Sequence, residues 1–501
     1  MTVVTRIAPS PTGDPHVGTA YIGLFNYVLA KKHRGRFILR LEDTDRKRYD
    51  PKSEERILDM MSWLGLEPDE SPSQGGPHAP YRQSERLHLY RQYAEKLLAE
   101  GLAYRAFETP EELKAMRKEQ LRRGLDPGYD GRGRQLSREE SEQRAASGEP
   151  FVVRLRIPDE GETCFRDELR GEICIANSEI RDAVLLKSDG YPTYHLAVVV
   201  DDHLMGVTHV LRAEEWITST PIHLLLYQAF GWQTPAFAHL PLLRNPDRNK
   251  SKISKRKMDT SVDSYRRQGI LPEALLNFLA TMGWSMPDGR EFFTLAEMIP
   301  LFSLERISLG SPVFDLKKLR FFNARYLREL LSLEEISRRT APLLEQAGYH
   351  WDDEDYLLDV IDVLRPRAET LQDLVERSGY FFQDTFPYDE AAKRKLASGQ
   401  KYLEDLERAF SMLEFFDYDS IDELLHEYVQ TESVGMGKVM QPLRAALTGV
   451  TQAPGVTDLA TILGKRRVLQ RIGRALSYIN ADLPDDNPQK EKKSKEKTEV
   501  G

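Results

Sequence analysis

The sequence predicts an α/β protein in which a Rossmann-like, parallel-sheet catalytic domain carries an inserted α+β domain and is followed by all-α domains. Three observations predict this fold class. The first forty residues alternate strand, helix and strand, a helix-rich charged segment begins near Ser84, and only helical periodicity remains beyond residue 332. At 501 residues the chain is too long for one core, so we expect several domains.

The periodicity of the first forty residues predicts a strand, a helix and a second strand. "VVTRIA" has the composition of a buried strand, "HVGTAYIGLFNYVLAKKH" continues with roughly helical apolar spacing up to Gly35, and "RFILRLED" is strand-like again. This order predicts a βαβ unit, the start of a nucleotide-binding sheet. The loop between strand and helix places His16 at the helix start, where backbone N–H groups and the helix dipole favour a phosphate, and Gly18 lets a nucleotide lie against the backbone.

The later segments follow the same reasoning. Residues 85–190 contain the helical run "EELKAMRKEQLRR" and the strand-like runs "FVVRLRI" and "EICIAN". We interpret "YPTYHLAVVVDDHLMGVTHVLR" as apolar strand alternating with turn, and "YLLDVIDVL" and "LATILGKRRVLQRIGRAL" as helices. The last residues, "PDDNPQKEKKSKEKTEVG", are charged and of low complexity, which predicts a disordered tail.

Composition limits the class of protein. The net charge of −9 argues against a nucleic-acid coat over the whole surface, although local basic faces stay possible. No run approaches the roughly 18 apolar residues of a membrane span, and the first ten residues have no signal-peptide core. Cys164 and Cys174 cannot form a disulfide framework, which fits a reducing compartment, so we expect a cytoplasmic protein without a membrane partner.

Two basic segments stand out. In "LGKRRVLQRIGR" five of twelve residues are basic, a pattern more typical of a solvated helix face than of a polyanion site. In "SKISKRK", Lys252 and Lys255 form a dense cationic loop that would, taken alone, be an exposed turn. Combined with His16, however, these lysines would supply the positive charge that a departing pyrophosphate requires.

The motifs then converge on one family. "PHVGTA" and "KISKR" resemble the HIGH and KMSKS motifs of class I aminoacyl-tRNA synthetases. The form "RIAPSPTGDPHVGTA", together with "LRLEDTD", "YPTYHLAVVVDDHLMGVTHVLRAEEW", "PLLRN", "FDLKKLRFFN" and "QPLRAALTG", is similar to bacterial-type glutamyl-tRNA synthetases from about residue 3 to about residue 480. The resemblance implies ATP-dependent ligation of L-glutamate to the 3′ end of tRNA(Glu) through a glutamyl-adenylate, with release of AMP and pyrophosphate.

The resemblance also implies site residues. The catalytic residues would be His16, Lys252 and Lys255. The residues around glutamate would be Arg6, Ala8, Ser10, Glu42, Tyr194 and Arg212. The residues around ATP would be His16, Gly18, Glu215, Trp216, Leu242, Leu243, Lys252 and Lys255. Arg367 and Arg444 would contact the tRNA anticodon. Arg212 and Arg6 suit a carboxylate, and Glu42 suits the substrate ammonium.

The implied domain plan covers the chain in order. It comprises a catalytic domain (1–84 and 191–255), an inserted acceptor-end-binding domain (85–190), a stem-contact domain (256–331), two helical anticodon-binding domains (332–390 and 391–480) and the tail (481–501). The expected partners are ATP with Mg²⁺, L-glutamate and tRNA(Glu), and we expect a monomer.

One departure from the family concerns zinc. Some members carry a cysteine-rich zinc knuckle after an "AY" dipeptide, but here the stretch is "AYRAFETPEEL", without cysteine or histidine. We therefore expect no structural zinc and no other metal site. Cys164 and Cys174 lie far along the chain and are interpreted as strand residues.

Alternatives remain at this point. A small-molecule nucleotidyltransferase would not need roughly 150 helical residues after the sheet, and a shortened paralogue that glutamylates a tRNA base would lack them. A glutaminyl-tRNA synthetase would end in β-barrels rather than helices. A non-discriminating form that also charges tRNA(Gln) stays open, as does an inactive tRNA-binding paralogue, although the latter should have lost His16, Lys255 or Arg212.

Overall fold

The structure, a computed structural model, describes residues 2–247, 249, 251 and 260–482. The chain divides into two compact units, Met1–Phe322 and Asn323–Gly501. The predicted disordered tail therefore lies outside the described residues except for its first two positions, which belong to the last helix.

The nine strands of the described chain all lie in the first unit. They are β1 (Val4–Ile7), β2 (Arg36–Leu39), β3 (Ala103–Ala106), β4 (Val152–Leu155), β5 (Glu162–Asp167), β6 (Gly171–Ala176), β7 (Val184–Leu186), β8 (His209–Ala213) and β9 (Ala236–Leu240).

The helices are distributed over both units. Those that begin in the first are α1 (Val17–Lys32), α2 (Pro51–Trp63), α3 (Leu87–Ala99), α4 (Pro110–Arg122), α5 (Arg138–Ala146), α6 (Tyr194–Leu204), α7 (Thr220–Phe230), α8 (Val262–Arg267), α9 (Pro272–Gly283), α10 (Leu295–Leu301) and α11 (Leu316–Arg325). The later ones are α12 (Leu333–Gln346), α13 (Glu354–Leu364), α14 (Leu371–Phe382), α15 (Glu390–Ser398), α16 (Gln400–Met412), α17 (Tyr418–Thr431), α18 (Met436–Thr448) and α19 (Val456–Asp482). A break at Gly464, where φ is +73°, divides α19.

The catalytic sheet is mostly parallel. β1 pairs with β2, β8 with β9, and β9 with β5, all in parallel, while β5 and β6 form an antiparallel hairpin. Thr208 connects β1 to β8, because its N–H donates to the Val4 carbonyl at 2.9 Å and its Oγ1 accepts from the Val4 N–H at 2.8 Å. The predicted α/β class with a parallel sheet is confirmed.

Residues 85–190 contribute to two different sheets. β3, β4 and β7 form a separate antiparallel sheet, as a self-contained insert would. β5 and β6, however, extend the sheet of β8 and β9, with Asp167 opposite Phe237. The β5–β6 hairpin is thus part of the sheet that supports the catalytic domain.

Helix α1 packs at the centre of the first unit. Val17, Ala20, Leu24, Phe25 and Val28 are fully buried, because α1 lies between β1 and β2 on one side and α9 and α10 on the other. Burial all round explains why the amphipathic pattern of this helix is weak and why its spacing in the sequence is only approximately helical.

The interpretation of residues 194–204 as strand and turn is wrong. They form helix α6, in which Leu196 to Asp202 are all buried. A short apolar run does not distinguish a buried strand from a buried helix, and burial of both α6 faces removed the polar stripe that would have revealed the helical period.

The second unit is helical within its described residues, as predicted. The interpretation of "LGKRRVLQRIGR" as a solvated face is wrong for most of its charges. Lys465 donates to the Leu413 carbonyl at 2.7 Å, and Arg471, which is buried, donates to the carbonyls of Leu447, Tyr380 and Gln383 at 2.6, 2.7 and 3.0 Å. Of the five basic residues in this run, only Arg466 is exposed. No helix of the described chain is both long and apolar enough to span a bilayer.

Candidate active site

A cavity of about 390 Å³ opens where β1, β8 and β9 end, the edge at which open parallel sheets bind ligands. Every described residue that we predicted around glutamate or ATP lines it: Arg6, Ala8, Ser10, His16, Gly18, Glu42, Tyr194, Arg212, Glu215, Trp216, Leu242 and Leu243. Lys252 and Lys255 lie outside the described residues.

His16 is positioned by the start of α1. It is the N-cap residue, in an extended backbone conformation, and its Nδ1 accepts a hydrogen bond from the Gly18 N–H at 2.9 Å. Because Nδ1 is the acceptor, a neutral ring carries its proton on Nε2, the nitrogen that can donate to a phosphate oxygen. A Cβ at Gly18 would lie 3.1 Å from Nδ1, so the glycine also leaves room for this ring.

Glu42 follows β2 and is almost buried, with 11% of its side chain exposed. Burial raises the pKa of its carboxyl to about 7, against the opposing effect of Arg40 and Arg6. Its Oε1 has no hydrogen-bond partner among the described residues, and the Arg40 Nη2 lies 3.6 Å away. A carboxylate oxygen with this environment suits an ammonium group in the cavity.

Two buried arginines beside Glu42 form ion pairs with aspartates of α6. The Arg6 Nε lies 3.2 and 3.3 Å from the two carboxylate oxygens of Asp202, and the Arg40 Nη1 donates to Asp202 at 2.8 Å. Burial alone would raise the pKa of Asp202, but the two arginines hold it below its usual range. Asp201 lies 3.7 Å from the Arg40 Nε and accepts from Arg86 at 2.7 Å. These ion pairs hold Arg6, which lines the cavity, and Arg40, which lies near Glu42.

Arg212, at the end of β8, has a different environment. It is 5% exposed, and among the described residues no carboxylate forms an ion pair with it. Its Nη1 donates to the Tyr194 hydroxyl at 3.1 Å and its Nη2 to the Thr220 Oγ1 at 2.8 Å. A buried guanidinium surrounded by neutral groups is a site for an anion.

The remaining wall is aromatic and apolar. The rings of Tyr194 and Trp216 lie 4.3 Å apart between centroids. The loop after β9 supplies Leu242 and Leu243, and the Leu242 N–H donates to Glu214 at 3.2 Å. Such a wall suits a flat base or ring.

Several residues that support the site were not predicted. Asp202 and Arg40 were missed, although two adjacent acids after the apolar run "LAVVV" are a signal of buried charge. His223 and His239, which both contact Arg212, were also missed, because they lie 11 and 27 residues away and no local spacing relates them to it.

A second cavity, of about 660 Å³, lies in the helical unit. Arg367, Arg377, Tyr380 and Gln452 are among its lining residues. Arg367 is exposed in the 3₁₀ turn after α13, and Arg444 donates to the carbonyl of Pro454, another lining residue, at 3.2 Å. The structure therefore brings the two predicted anticodon residues to one region.

The cysteines differ from the expectation. Both are strand residues, Cys164 on β5 and Cys174 on β6, but they are directly opposite each other and joined in a disulfide. With Glu162 they form the single cluster of three candidate metal ligands in the described chain, and a disulfide is not a thiolate ligand. The "AYRAFETPEEL" stretch forms β3 and then the Thr109 N-cap of α4.

Comparison with known proteins gives the class. Residues 2–321 match the family described as class I tRNA synthetases (E and Q), catalytic domain, and residues 335–476 match an anticodon binding domain. The fold and cavity are thus those of a class I aminoacyl-tRNA synthetase.

The similar proteins identify the family within this class. A glutamate–tRNA ligase of Thermus thermophilus is 58% identical over 475 residues, covering 95% of this chain and 100% of the relative. One of Deinococcus radiodurans is 53% identical, covering 94% and 98%. The crystal structure of a glutamate tRNA ligase from Elizabethkingia meningosepticum in complex with its amino acid matches with a TM-score of 0.87 at 38% identity, covering 96% of this chain and 100% of that one. The chain belongs to the glutamate–tRNA ligase family, as the motifs predicted.

Proposed function

We propose that this chain ligates L-glutamate to the 3′ end of tRNA(Glu), with ATP as the energy source and glutamyl-adenylate as the intermediate. The observation that carries this proposal is that one cavity collects three features: an ammonium-type acceptor, Glu42; a buried cation that has no acidic partner among the described residues, Arg212; and a helix N-terminus capped by His16. These are the groups that an amino acid with an anionic side chain and a triphosphate would require.

The first step is adenylate formation. An oxygen of the glutamate α-carboxylate attacks the α-phosphorus of ATP, and the bond to the bridging oxygen breaks, so that pyrophosphate leaves. His16 would donate through Nε2–H to a phosphate oxygen at the positive end of α1, with Lys252 and Lys255 on the leaving group. Mg²⁺ would enter with ATP and screen the phosphates, and no described residue is assigned to it.

The groups of glutamate and of ATP are assigned to different lining residues of the cavity. The glutamate ammonium would lie against Glu42 and its side-chain carboxylate against Arg212, with Arg6, Ala8, Ser10 and Tyr194 completing that part of the site. The base of ATP would lie on Leu242 and Leu243, near Gly18, Glu215 and Trp216. This division places the α-carboxylate between the two substrates' anchors, as adenylation requires.

The second step transfers glutamate to tRNA. A ribose hydroxyl of the terminal adenosine attacks the carbonyl carbon of the adenylate, and AMP leaves. Selection of the tRNA would use the second cavity, where Arg367 and Arg444 are expected to contact the anticodon. An unpaired base exposes its Watson–Crick edge there, and a donor-only arginine favours C, which offers two acceptors, over G.

Replacement of Arg212 tests the assignment of the amino-acid site. We expect Arg212→Ala to lower glutamate-dependent pyrophosphate exchange, measured with tRNA present, by about 100-fold or more, since an unpaired carboxylate would be left in a buried site. tRNA binding should be unchanged, and Arg267→Ala, whose side chain is 67% exposed, should retain full exchange. Near-normal exchange in Arg212→Ala would overturn the assignment.

Replacement of Arg367 tests the choice of tRNA. We expect wild-type protein to charge tRNA(Glu) and largely refuse tRNA(Gln), and Arg367→Gln to reduce this preference about ten- to a hundred-fold, by analogy with the 1–3 kcal/mol of one base contact. The readout is the ratio of kcat/KM for the two tRNAs. The exposed Arg466 is the matched control, since Arg466→Ala should leave the ratio unchanged. Efficient charging of tRNA(Gln) by wild type would instead identify a non-discriminating enzyme.

A further inference from the structure

The three buried arginines near the cavity differ in how their charge is balanced. Arg6 and Arg40 share Asp202, and Arg40 also lies near Asp201. Arg212 is as deeply buried, yet none of the carboxylates described in the structure is paired with it. Arg212 is therefore the one arginine of this group that forms no ion pair with an acid of the described chain, although the more distant Asp202 attracts its charge.

All five N–H groups of Arg212 nevertheless have neutral acceptors. Two of these acceptors line the cavity: the Tyr194 hydroxyl at 3.1 Å and the Trp216 carbonyl at 3.4 Å. The other three lie behind the guanidinium and do not line it: the Nε2 of His239 at 3.0 Å, the Nδ1 of His223 at 3.1 Å and the Oγ1 of Thr220 at 2.8 Å. The guanidinium is thus held by three acceptors that do not line the cavity, and its Nη contacts to Tyr194 and Trp216 are with residues that do.

The histidine tautomers follow from arginine being a donor only. The ring nitrogens that face Arg212 must present lone pairs, so His239 carries its proton on Nδ1 and His223 on Nε2. The carboxylate of Asp167 accepts from the His239 Nδ1 at 2.6 Å, and the His195 Nδ1 lies 3.1 Å from the His223 Nε2. Each tautomer is therefore fixed by a partner on the far side of the ring.

Both rings are kept uncharged. Burial lowers the pKa of His223 far below its usual range, and the charge of Arg212 adds to this effect. Burial also lowers the pKa of His239, although Asp167 opposes the shift. At neutral pH two imidazoles accept from the guanidinium without contributing any negative charge.

We propose that His223 and His239 are positioning residues that determine substrate specificity: they hold the Arg212 guanidinium in place as neutral acceptors, so that its full charge remains for the side-chain carboxylate of glutamate. This inference rests on the proposed function, because it assumes that Arg212 binds that carboxylate. An aspartate behind Arg212 would hold the guanidinium equally well, as Asp202 holds Arg6, but would cancel the charge that distinguishes glutamate from its amide, glutamine.

A matched pair of variants separates charge from position. In His223→Asn the amide oxygen replaces the Nδ1 acceptor without charge, whereas in His223→Asp a carboxylate oxygen occupies the same place. The measurements are KM for glutamate and the inhibition constant of glutamine as a competitor, both in pyrophosphate exchange with tRNA present. KM for ATP and the thermal unfolding temperature of each variant are measured beside them.

We expect a selective loss of apparent affinity for glutamate. His223→Asp should raise KM for glutamate about tenfold or more while the inhibition constant of glutamine and KM for ATP stay within about threefold, and His223→Asn should keep all three near wild type. Equal losses in both variants, or an unchanged KM for glutamate in His223→Asp, would overturn the proposal.

A second pair applies if His223→Asp does not fold. Thr220→Asn and Thr220→Asp place the same two groups against the Arg212 Nη2, and the same selective rise in KM for glutamate is expected only in Thr220→Asp. Failure of the proposed function would appear separately, since wild-type protein would then show no glutamate-dependent exchange. Wild-type activity with no difference between either pair of variants would reject only the role of the neutral acceptors.

Discussion

At the scale of single residues, the site works through charges placed where water cannot screen them. Glu42 and Arg212 line the same cavity, but burial has opposite consequences for them. It raises the pKa of Glu42 to about 7 and so favours the neutral acid, whereas Arg212 stays cationic, because a guanidinium is not deprotonated in proteins, although burial lowers its pKa. The ammonium anchor should therefore depend on pH, and the carboxylate anchor should not.

The pKa of Glu42 predicts a pH profile. Above about pH 7 the free enzyme holds Glu42 as a carboxylate that attracts the substrate ammonium, and below it the group takes up a proton and loses this attraction. We expect kcat/KM for glutamate to fall by up to about tenfold for each pH unit below the Glu42 pKa of about 7. The measurements would run from about pH 5.5 to about pH 8.5.

Two observations check this assignment. The neutral variant Glu42→Gln should have a low and flat profile, and His195 should not contribute, because burial lowers its pKa to about 4. A wild-type profile that is flat from about pH 6 to 8 would show that Glu42 is already ionised, and would contradict its role as the pH-dependent anchor.

Single residues were predictable where the family motif names them and not where the fold creates them. Arg212 and Glu42 are part of quoted motifs, so both were found. Asp167 was not, because its role depends on β5 lying parallel to β9, which brings its carboxylate to His239 across 72 positions of sequence. No periodicity within either segment carries that information.

At the scale of elements, periodicity predicted the opening β1, α1 and β2 and the helical character of the second unit. It failed for α6, which is buried along most of its length, and it misassigned the charges of α19. Arg467 and Arg471, in the second half of α19, donate to backbone carbonyls in the last turns of α14 and α18, where the last C=O groups have no intrahelical partner. A basic run can therefore be part of the core architecture of a helical unit.

This role of α19 predicts an effect on stability. Arg471→Leu would leave the carbonyls of Leu447, Tyr380 and Gln383 without their donor in a buried region, so we expect a loss of about 3 kcal/mol or more in the free energy of unfolding. Urea unfolding followed by circular dichroism measures it. Arg466→Leu, on the same helix but exposed, should change stability by about 0.5 kcal/mol or less. Equal effects of the two changes would contradict the inward role of Arg471.

At the scale of the whole molecule, the match to the catalytic domain and the match to the anticodon binding domain fall in different units. The cavity that we assign to glutamate and ATP lies within Met1–Phe322, and the arginine-lined cavity lies within Asn323–Gly501. The order of these parts was predictable, because a βαβ opening and a helical end have different periodicities. The shared sheet of β5, β6, β8 and β9 was not, since a strand's partner is set by tertiary pairing rather than by its own composition.

The proposed function is tested most directly by charging purified tRNA(Glu) with radiolabelled glutamate, ATP and Mg²⁺, beside parallel reactions with labelled glutamine and with Arg212→Ala. We expect glutamyl-tRNA(Glu) formation that depends on ATP and yields one AMP per glutamate joined, no comparable reaction with glutamine, and loss of charging in the variant. Binding of tRNA(Glu) without any charging, or preferential charging with glutamine, would contradict the proposed function.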